Sequence, residues 1–307
     1  MRSAATVAAK RVLHAAGHYR RALDARPLPG IAVLCYHAVL ADDVDRDRVP
    51  FAPLHVGASE FASHCELLAT LCQPLTMAEA MASWSGERAM PARAVLLTID
   101  DGHQSLLAHA LPALRRHRVP ATVFACTGPI ERGQSFWFDA VARSRGEAAV
   151  EWAKTLDHAT WHTLCDEVAA PAAADDPVAP LTVNGLQALA ADALVTIGAH
   201  TVSHPILARA SRQVQRDEVV ASLDTLAMWT STRPQTFAYP NGRPGTDYTA
   251  ESCAVLADTG IRAAFAVRDA FASAGEPALE RSRFTVLHGT DAAELAHRLT
   301  YSWPRPA

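Results

Sequence analysis

Two short polar runs, about a hundred residues apart, carry the side chains of this chain that are best suited to chemistry. Residues 96–102 read LLTIDDG, and residues 198–204 read GAHTVSH. His200 and His204 are four apart, so on one helical turn their imidazoles would point in the same direction. An aspartate from the Asp100-Asp101 pair would complete three ligands around a divalent ion and leave positions open for water and substrate. The pattern therefore predicts a catalytic metal site rather than a structural one.

The rest of the chain supplies the elements that would hold these runs. Apolar runs typical of buried strands alternate with segments of helical periodicity, which predicts a parallel β/α architecture. The predicted strands are 31–36, 94–99, 119–125, 195–198, 235–239 and 263–267, and the predicted helices are 60–71 with Ser59 as cap, 106–117, 213–229 and 252–259. We interpret residues 129–180 as an insertion, in which a Trp-bearing helical stretch (136–164) precedes a connection rich in Ala, Pro and Asp.

The side chains suited to chemistry all follow predicted strands. They are His37, Asp100, Asp101, His200, His204 and Asn241. In parallel α/β barrels the loops after the strands converge on one face, so groups distant in sequence can meet around one ion. Taken alone, His37 would be a core histidine and the Asp pair a turn that caps a helix. Their shared placement favours a functional site.

Composition narrows the class of protein. The chain has 307 residues, half of them hydrophobic, which is enough for one α/β barrel or for two domains. Its net charge of −4 offers no basic surface of the kind that nucleic-acid binding requires, so we expect no nucleic-acid partner. The six cysteines show no Cys-x-x-Cys spacing, which favours free thiols in a reducing compartment, the cytoplasm.

Residues 1–28 form a basic segment ahead of the predicted barrel. The apolar stretch 3–9 suits neither a signal peptide nor a membrane span, because it is short and poor in leucine. As a helix the segment would place Val7, Val12, Leu13, Ala16 and Tyr19 on one face and Lys10, Arg11, Arg20 and Arg21 on the other. Two interpretations stay open: residues 1–25 lie on an anionic membrane surface, at its inner face, or they form a solvated helix packed on the domain.

Three motifs occur in the order found in a known family. VLLTIDDGH (95–103), IGAHTVSHP (197–205) and FAYPNG (237–242) resemble the successive motifs of the polysaccharide deacetylases, the NodB-homology or carbohydrate esterase family 4 group. The strand at 120–125 is similar to the Ala-Thr-x-Phe strand of that family, and the resemblance covers about residues 31–290 without the insertion. It implies an α/β fold, a distorted (β/α) barrel of about seven strands within residues 29–307. It also implies a divalent metal, usually zinc, and hydrolysis of an N-acetyl, less often O-acetyl, group on a sugar.

The resemblance also assigns roles to individual residues. Asp101, His200 and His204 match the metal ligands of the family, and Asp100 matches its general base. The chemistry agrees with that division, because a divalent ion with three protein ligands can polarise the acetyl carbonyl and lower the pKa of a water molecule. Asp100 would then take the proton of this water as it attacks.

The late motifs supply candidates for substrate or oxyanion contacts, which are Tyr239, Asn241 and Arg283. Arg283 is also a candidate to orient Asp100, because Ala238 stands where many relatives carry the arginine that pairs with this aspartate. Asn241 replaces a frequent tyrosine, which predicts weaker stacking of substrate at that position.

The general acid has two candidates. Many family members take it from a Leu-x-His motif near the C-terminus, which Leu287 and His288 could match. A subgroup whose first strand ends in Tyr-His, as Tyr36-His37 does here, uses the early histidine instead. We favour His37 and keep His288 as the alternative.

The substrate is thinly encoded. We predict an N-acetylhexosamine in a polysaccharide or a lipid-linked glycan precursor as the carbohydrate partner. Four tryptophans could stack on sugars, although those in a helical insertion are more often core residues; they are Trp137, Trp152, Trp161 and Trp229. Two alternatives stay open: an amidohydrolase of non-sugar amides on the same fold, and a glycan-binding module that has lost turnover. The oligomeric state is not encoded.

Overall fold

The computed structural model describes residues 4–302, which fold around one parallel sheet. The strands are β1 (Ala32–Tyr36), β2 (Val39–Leu40), β3 (Val56–Gly57), β4 (Gln73–Pro74), β5 (Ala94–Ile99), β6 (Ala121–Ala125), β7 (Val195–Ala199), β8 (Thr236–Ala238), β9 (Ala263–Phe265) and β10 (Phe284–Thr285). The helices are α1 (Ala4–Ala15), α2 (His18–Ala25), α3 (Ala58–Leu71), α4 (Met77–Ser85), α5 (Leu111–His117), α6 (Thr127–Arg132), α7 (Trp137–Arg145), α8 (Glu147–Ala153), α9 (His158–Val168), α10 (Val183–Ala190), α11 (Arg212–Thr230), α12 (Ala250–Asp258) and α13 (Ala292–His297).

Seven strands pair in parallel in the order β10-β1-β5-β6-β7-β8-β9, and β4 adds to the start of β5. The segment before β10 brings the two ends of this sheet together. Arg281 forms a parallel bridge with Phe265 of β9, whereas Phe284 pairs with Leu34 of β1. The sheet thus curls into the distorted barrel of about seven strands that the family resemblance implied, and that prediction is confirmed.

The central strands form where the sequence is almost entirely apolar on both faces. Every residue of β1, β5 and β6 is buried, which is the pattern of parallel strands covered by helices. Gly198 of β7 is required by close packing: a Cβ atom there would lie 2.4 Å from the ring of Phe124. None of the described helices is long and apolar enough to span a membrane.

For two helices the structure explains why the start differs from prediction. Helix α3 begins at Ala58 rather than after a Ser59 cap, because the Glu60 carboxylate accepts the Gly57 N–H at 3.3 Å while Ser59 bonds Asp42. The helix predicted at 106–117 opens with a π-helical stretch, Leu106–Ala110, before α5. Pro112 at the start of α5 has no N–H to donate, which accounts for the irregular first turns.

The predicted insertion contains three helices, α7 to α9, around a small core of their own. This core consists of Trp137, Val141, Val150, Ala153, Trp161 and Leu164. The N-terminal helices α1 and α2 pack on the barrel, where α1 contacts α13. Tyr19 is buried there and Val12 is exposed, so the predicted apolar face that joined these two residues is wrong.

Candidate metal and catalytic site

The aspartate loop begins where β5 ends. The Asp100 N–H still donates to the Tyr36 carbonyl at 2.9 Å, as a strand residue would. The next two residues turn the chain sharply, with φ of 71° at Asp101 and 89° at Gly102. A left-handed conformation is costly for aspartate and is typical of functional loops. This turn separates the two carboxylates, so that each meets a different set of partners.

The histidine loop follows β7 and is not helical. Thr201 and His204 both have left-handed φ, 68° and 59°, so the prediction that His200 and His204 share a helical turn is wrong. The Thr201 hydroxyl accepts the His204 N–H at 3.0 Å. Glu218 of α11 accepts the N–H groups of residues 202 and 203. These bonds fold the loop back until the two imidazole centroids lie 4.9 Å apart.

Asp101 and the two histidines converge on one point. Asp101 Oδ1 lies 3.4 Å from His200 Nε2 and 3.6 Å from His204 Nε2. His200 Nδ1 donates to the Ala238 carbonyl at 2.7 Å, since a carbonyl only accepts, and this leaves the Nε2 lone pair facing Asp101. Burial alone would raise the pKa of Asp101, but a hydrogen bond from His103 and the other histidines around this carboxylate hold its pKa well below its ordinary value. Two ring nitrogens and one carboxylate oxygen, with their atoms within 4.8 Å of one another, suit a divalent ion.

His103 is a member of this cluster that the sequence interpretation missed. It is fully buried, and its Nε2 lies 3.3 Å from Asp101 Oδ2, the oxygen that faces away from the two histidines. Its Nδ1 bonds the Val178 carbonyl at 2.9 Å, where the insertion returns to the barrel. The only signal in the sequence is its position directly after the Asp100-Asp101-Gly102 turn.

Asp100 is held by Arg283. The guanidinium donates through Nη1 to Asp100 Oδ1 at 2.7 Å and through Nη2 to Oδ2 at 2.8 Å, a two-pronged pair in which Arg283 is fully buried and Asp100 nearly so. Burial alone would raise the pKa of Asp100, but Arg283 and His200 lower it below its ordinary value. Arg283 therefore fixes the orientation of the Asp100 carboxylate. Its predicted substrate contact is wrong, because the side chain is fully buried beneath Asp100.

A cavity of about 90 Å³ opens above these carboxylates, with room for several water-sized groups. Its polar floor holds His37, Asp100, Asp101, His200, His204 and Asn241, and its apolar wall is formed mainly by Phe51, Leu54, Trp137, Phe138, Val150 and Val267. His37 Nδ1 has no partner among the described residues, and burial lowers the pKa of this imidazole. The insertion contributes directly, because the Phe138 ring lies 5.0 Å from that of His204.

Two other predicted site residues point elsewhere. The Tyr239 hydroxyl bonds the Leu279 carbonyl at 2.9 Å and its N–H bonds the Phe265 carbonyl, so the predicted substrate or oxyanion contact is wrong for this residue. His288 is exposed, bonds Glu60 at 2.9 Å, and does not line the cavity, which removes it as the alternative acid. Asn241, in the loop after β8, does line the cavity, and its φ is 57°.

Of the four tryptophans considered for stacking, one reaches the cavity. Trp137 lines it and donates its ring N–H to the His204 carbonyl at 2.9 Å. Trp161 lies in the core of the insertion, and Trp229 packs against the barrel core. Trp152 is exposed on α8, away from the cavity lining.

The fold is similar to that of several solved structures. The Streptococcus pyogenes deacetylase PplD in complex with acetate is similar with a TM-score of 0.65 and 20% identity, over 89% of this chain and 99% of that one. IcaB from Ammonifex degensii gives 0.63 and 20%, over 89% and 97%. The BpsB deacetylase domain from Bordetella bronchiseptica gives 0.58 and 18%, over 85% and 96%. No curated protein matches the sequence with significance.

A family model also matches the sequence. The profile described as Polysaccharide deacetylase matches residues 87–264, more than half of the chain. That span contains the aspartate loop, the histidine loop and the loop of Asn241. The chain therefore belongs to the polysaccharide deacetylase family, enzymes that hydrolyse acetyl amides.

Proposed function

We propose that this protein removes N-acetyl groups from amino sugars of a polysaccharide or lipid-linked glycan, with a divalent ion, foremost Zn²⁺, held by Asp101, His200 and His204. One observation carries the proposal. A single oxygen of Asp101 faces both histidine Nε2 atoms, while the neighbouring Asp100 is kept ionised by Arg283. The donor set of two imidazoles and one carboxylate on an open cavity is that of a catalytic zinc site.

When bound, the divalent ion supplies a Lewis acid that polarises the acetyl carbonyl and makes water more acidic. Asp100 acts as general base. It takes one proton from the water whose oxygen forms the new bond to the acetyl carbon. Its two bonds to Arg283 fix its orientation and leave lone pairs for that proton. The Asn241 N–H, at the cavity lip, is the remaining candidate to stabilise the oxyanion.

His37 acts as general acid for the departing amine. The C–N bond breaks, the nitrogen takes a proton, and acetate and a free amino sugar leave. The lowered pKa of His37 means that the neutral ring predominates at pH 7, so the proton it donates must reach it within the cycle. Asp100 is the source within reach, because its carboxylate and a His37 ring nitrogen lie within 4.8 Å.

Acetate release from N-acetylglucosamine oligomers and from a lipid-linked N-acetylhexosamine tests the proposal. The wild type is compared with Asp100→Asn, His37→Ala and the matched control His288→Ala, before and after chelation and Zn²⁺ return. We expect Asp100→Asn and His37→Ala each to lose about 10²–10⁴-fold in rate and His288→Ala to keep it. Acetate release that survives Asp100→Asn or chelation would contradict the mechanism. Bound metal without acetate from any substrate would favour a glycan-binding module, and acetate from non-sugar amides alone would favour an amidohydrolase.

A further inference from the structure

Helix α1 is mounted on the barrel with its polar side inward. Lys10 pairs with Glu294 at 2.6 Å, and both side chains are largely buried. Arg11 pairs with Asp291 at 2.8 Å at the edge of the same contact. Charged groups of α1 therefore hold it against α13, the reverse of an ordinary surface helix.

The opposite side of α1 is apolar and faces solvent. We call the residues there the α1 outer face; they are Ala5, Ala8, Ala9, Val12 and Leu13, and all five are exposed. Val12 is 67% exposed. At 100° per residue these positions fall on one arc that carries no charged side chain. Apolar helix faces that border cationic side chains mark binding surfaces for lipid or protein.

Cations border this face. Arg11 keeps 66% of its side chain exposed despite its ion pair, and Arg20 and Arg21 are exposed on the adjoining helix α2. An apolar helix face beside arginines is the arrangement that binds anionic lipid, with apolar residues in the headgroup boundary and cations at the phosphates. A second copy of the chain fits less well, because five small residues offer far less than the roughly 800 Å² per partner of a stable interface and like charges would meet.

The inward side of α1 borders a groove on the barrel. Val7 and Lys10 of α1 line a groove together with His288. The His288 N–H donates to the Pro53 carbonyl at 2.9 Å, and the next residue, Leu54, lines the catalytic cavity. This groove lies on the side of α1 that faces the barrel, opposite the α1 outer face.

From this arrangement we propose that the protein docks on an anionic lipid bilayer through the α1 outer face and the flanking arginines. The segment predicted as residues 1–28 then serves as a peripheral membrane anchor. This inference does not rest on the proposed reaction, since docking and catalysis are measured separately.

Co-sedimentation with vesicles tests docking. The probes are phosphatidylcholine vesicles with and without about one third phosphatidylglycerol. We expect the wild type to sediment with the anionic vesicles and to be released by added salt. Val12→Gln combined with Leu13→Gln should weaken binding roughly tenfold or more, and Val12→Trp should strengthen it. Met228→Gln, which changes another exposed apolar side chain on α11, should bind like the wild type.

Circular dichroism checks that each variant keeps its helices. The inference is overturned if the wild type stays in the supernatant or if Val12→Gln with Leu13→Gln binds as well as the wild type. It is also overturned if Val12→Trp binds the anionic vesicles no more strongly than the wild type. A dimer of the wild type in solution that the glutamine substitutions dissociate would overturn it as well. Acetate release from a water-soluble substrate should be equal in all of these variants.

Discussion

Replacement of Arg283 by methionine is expected to disable Asp100 in a way that depends on pH. The substitution keeps much of the buried volume but removes both charge-assisted hydrogen bonds to Asp100, at 2.7 and 2.8 Å. Breaking a buried pair by removing one partner costs about 3–5 kcal/mol of stability while the other group stays charged. Burial is the largest influence on the pKa of Asp100 and raises it, while Arg283 lowers it. Without Arg283 the pKa rises, and a protonated Asp100 avoids part of that cost.

The sign of the pH effect follows from the folded pKa. In the wild type the pKa of Asp100 lies below its ordinary value, so the pair adds stability above about pH 4 and loses it as pH falls through the folded pKa. Without Arg283 the pKa of Asp100 rises, and each pH unit between the assay and the new pKa lowers the ionised fraction about tenfold. The rate of acetate release should therefore fall most at the acid end of the pH range and recover as pH rises.

The assay is acetate release from pH 5 to pH 9, with urea denaturation at the same pH values. Arg281→Met is the matched control, because Arg281 is also buried but lies over the Trp84 ring, at 4.6 Å from its centroid. It should lose stability without moving the acid limb of the pH profile. Arg283→Lys keeps the charge and should restore part of the acetate release at low pH. An unchanged limb in Arg283→Met would refute the assignment of Arg283 as the residue that sets the state of Asp100.

Three further substitutions test other parts of the structure. Burial raises the pKa of Asp139 to about 7, so the wild type should lose stability as pH rises from about 4 to 7. Asp139→Asn should therefore gain about 2.5 kcal/mol on the wild type between pH 5 and pH 8, measured by urea denaturation at both pH values. His103→Gln should weaken Zn²⁺ binding about 10–100-fold in chelator competition because it releases Asp101 Oδ2, while His64→Gln, equally buried but remote from the cluster, should not. Gly198→Ala should cost about 1–3 kcal/mol in thermal unfolding through its contact with the Phe124 ring, whereas Gly275→Ala, with its nearest neighbour at 3.9 Å, should be close to neutral.

The sequence predicted those features that depend on local pattern. Residues 94–99 are aliphatic on both faces, and β5 occupies that span. The rule that polar groups after parallel strands meet on one face predicts that Asp100, Asp101 and the two histidines lie close together. Ala238 has no side chain that could pair with Asp100, which makes Arg283 a candidate partner. In the structure Arg283 donates a hydrogen bond to Asp100.

The sequence did not predict features that depend on long-range packing. The spacing of His200 and His204 suited a helical turn, but two left-handed residues, neither of them glycine, produce the same proximity in a loop. The side chain of Tyr239 turns inward to stack on Tyr248, with ring centroids 3.7 Å apart, which no local pattern indicates. His103 is held in place by a hydrogen bond to the Val178 carbonyl, which lies 75 residues later and belongs to the insertion.

The central claim is that Asp101, His200 and His204 hold one divalent ion. Equilibrium dialysis against Zn²⁺, followed by elemental quantification, tests it directly for the wild type, for Asp101→Ala and for the control His162→Ala, whose imidazole is exposed on the insertion. We expect about one bound Zn²⁺ per chain in the wild type and in His162→Ala, and almost none in Asp101→Ala at the same free Zn²⁺ concentration. A wild type that binds no ion, or an Asp101→Ala variant that retains a full one, would contradict it.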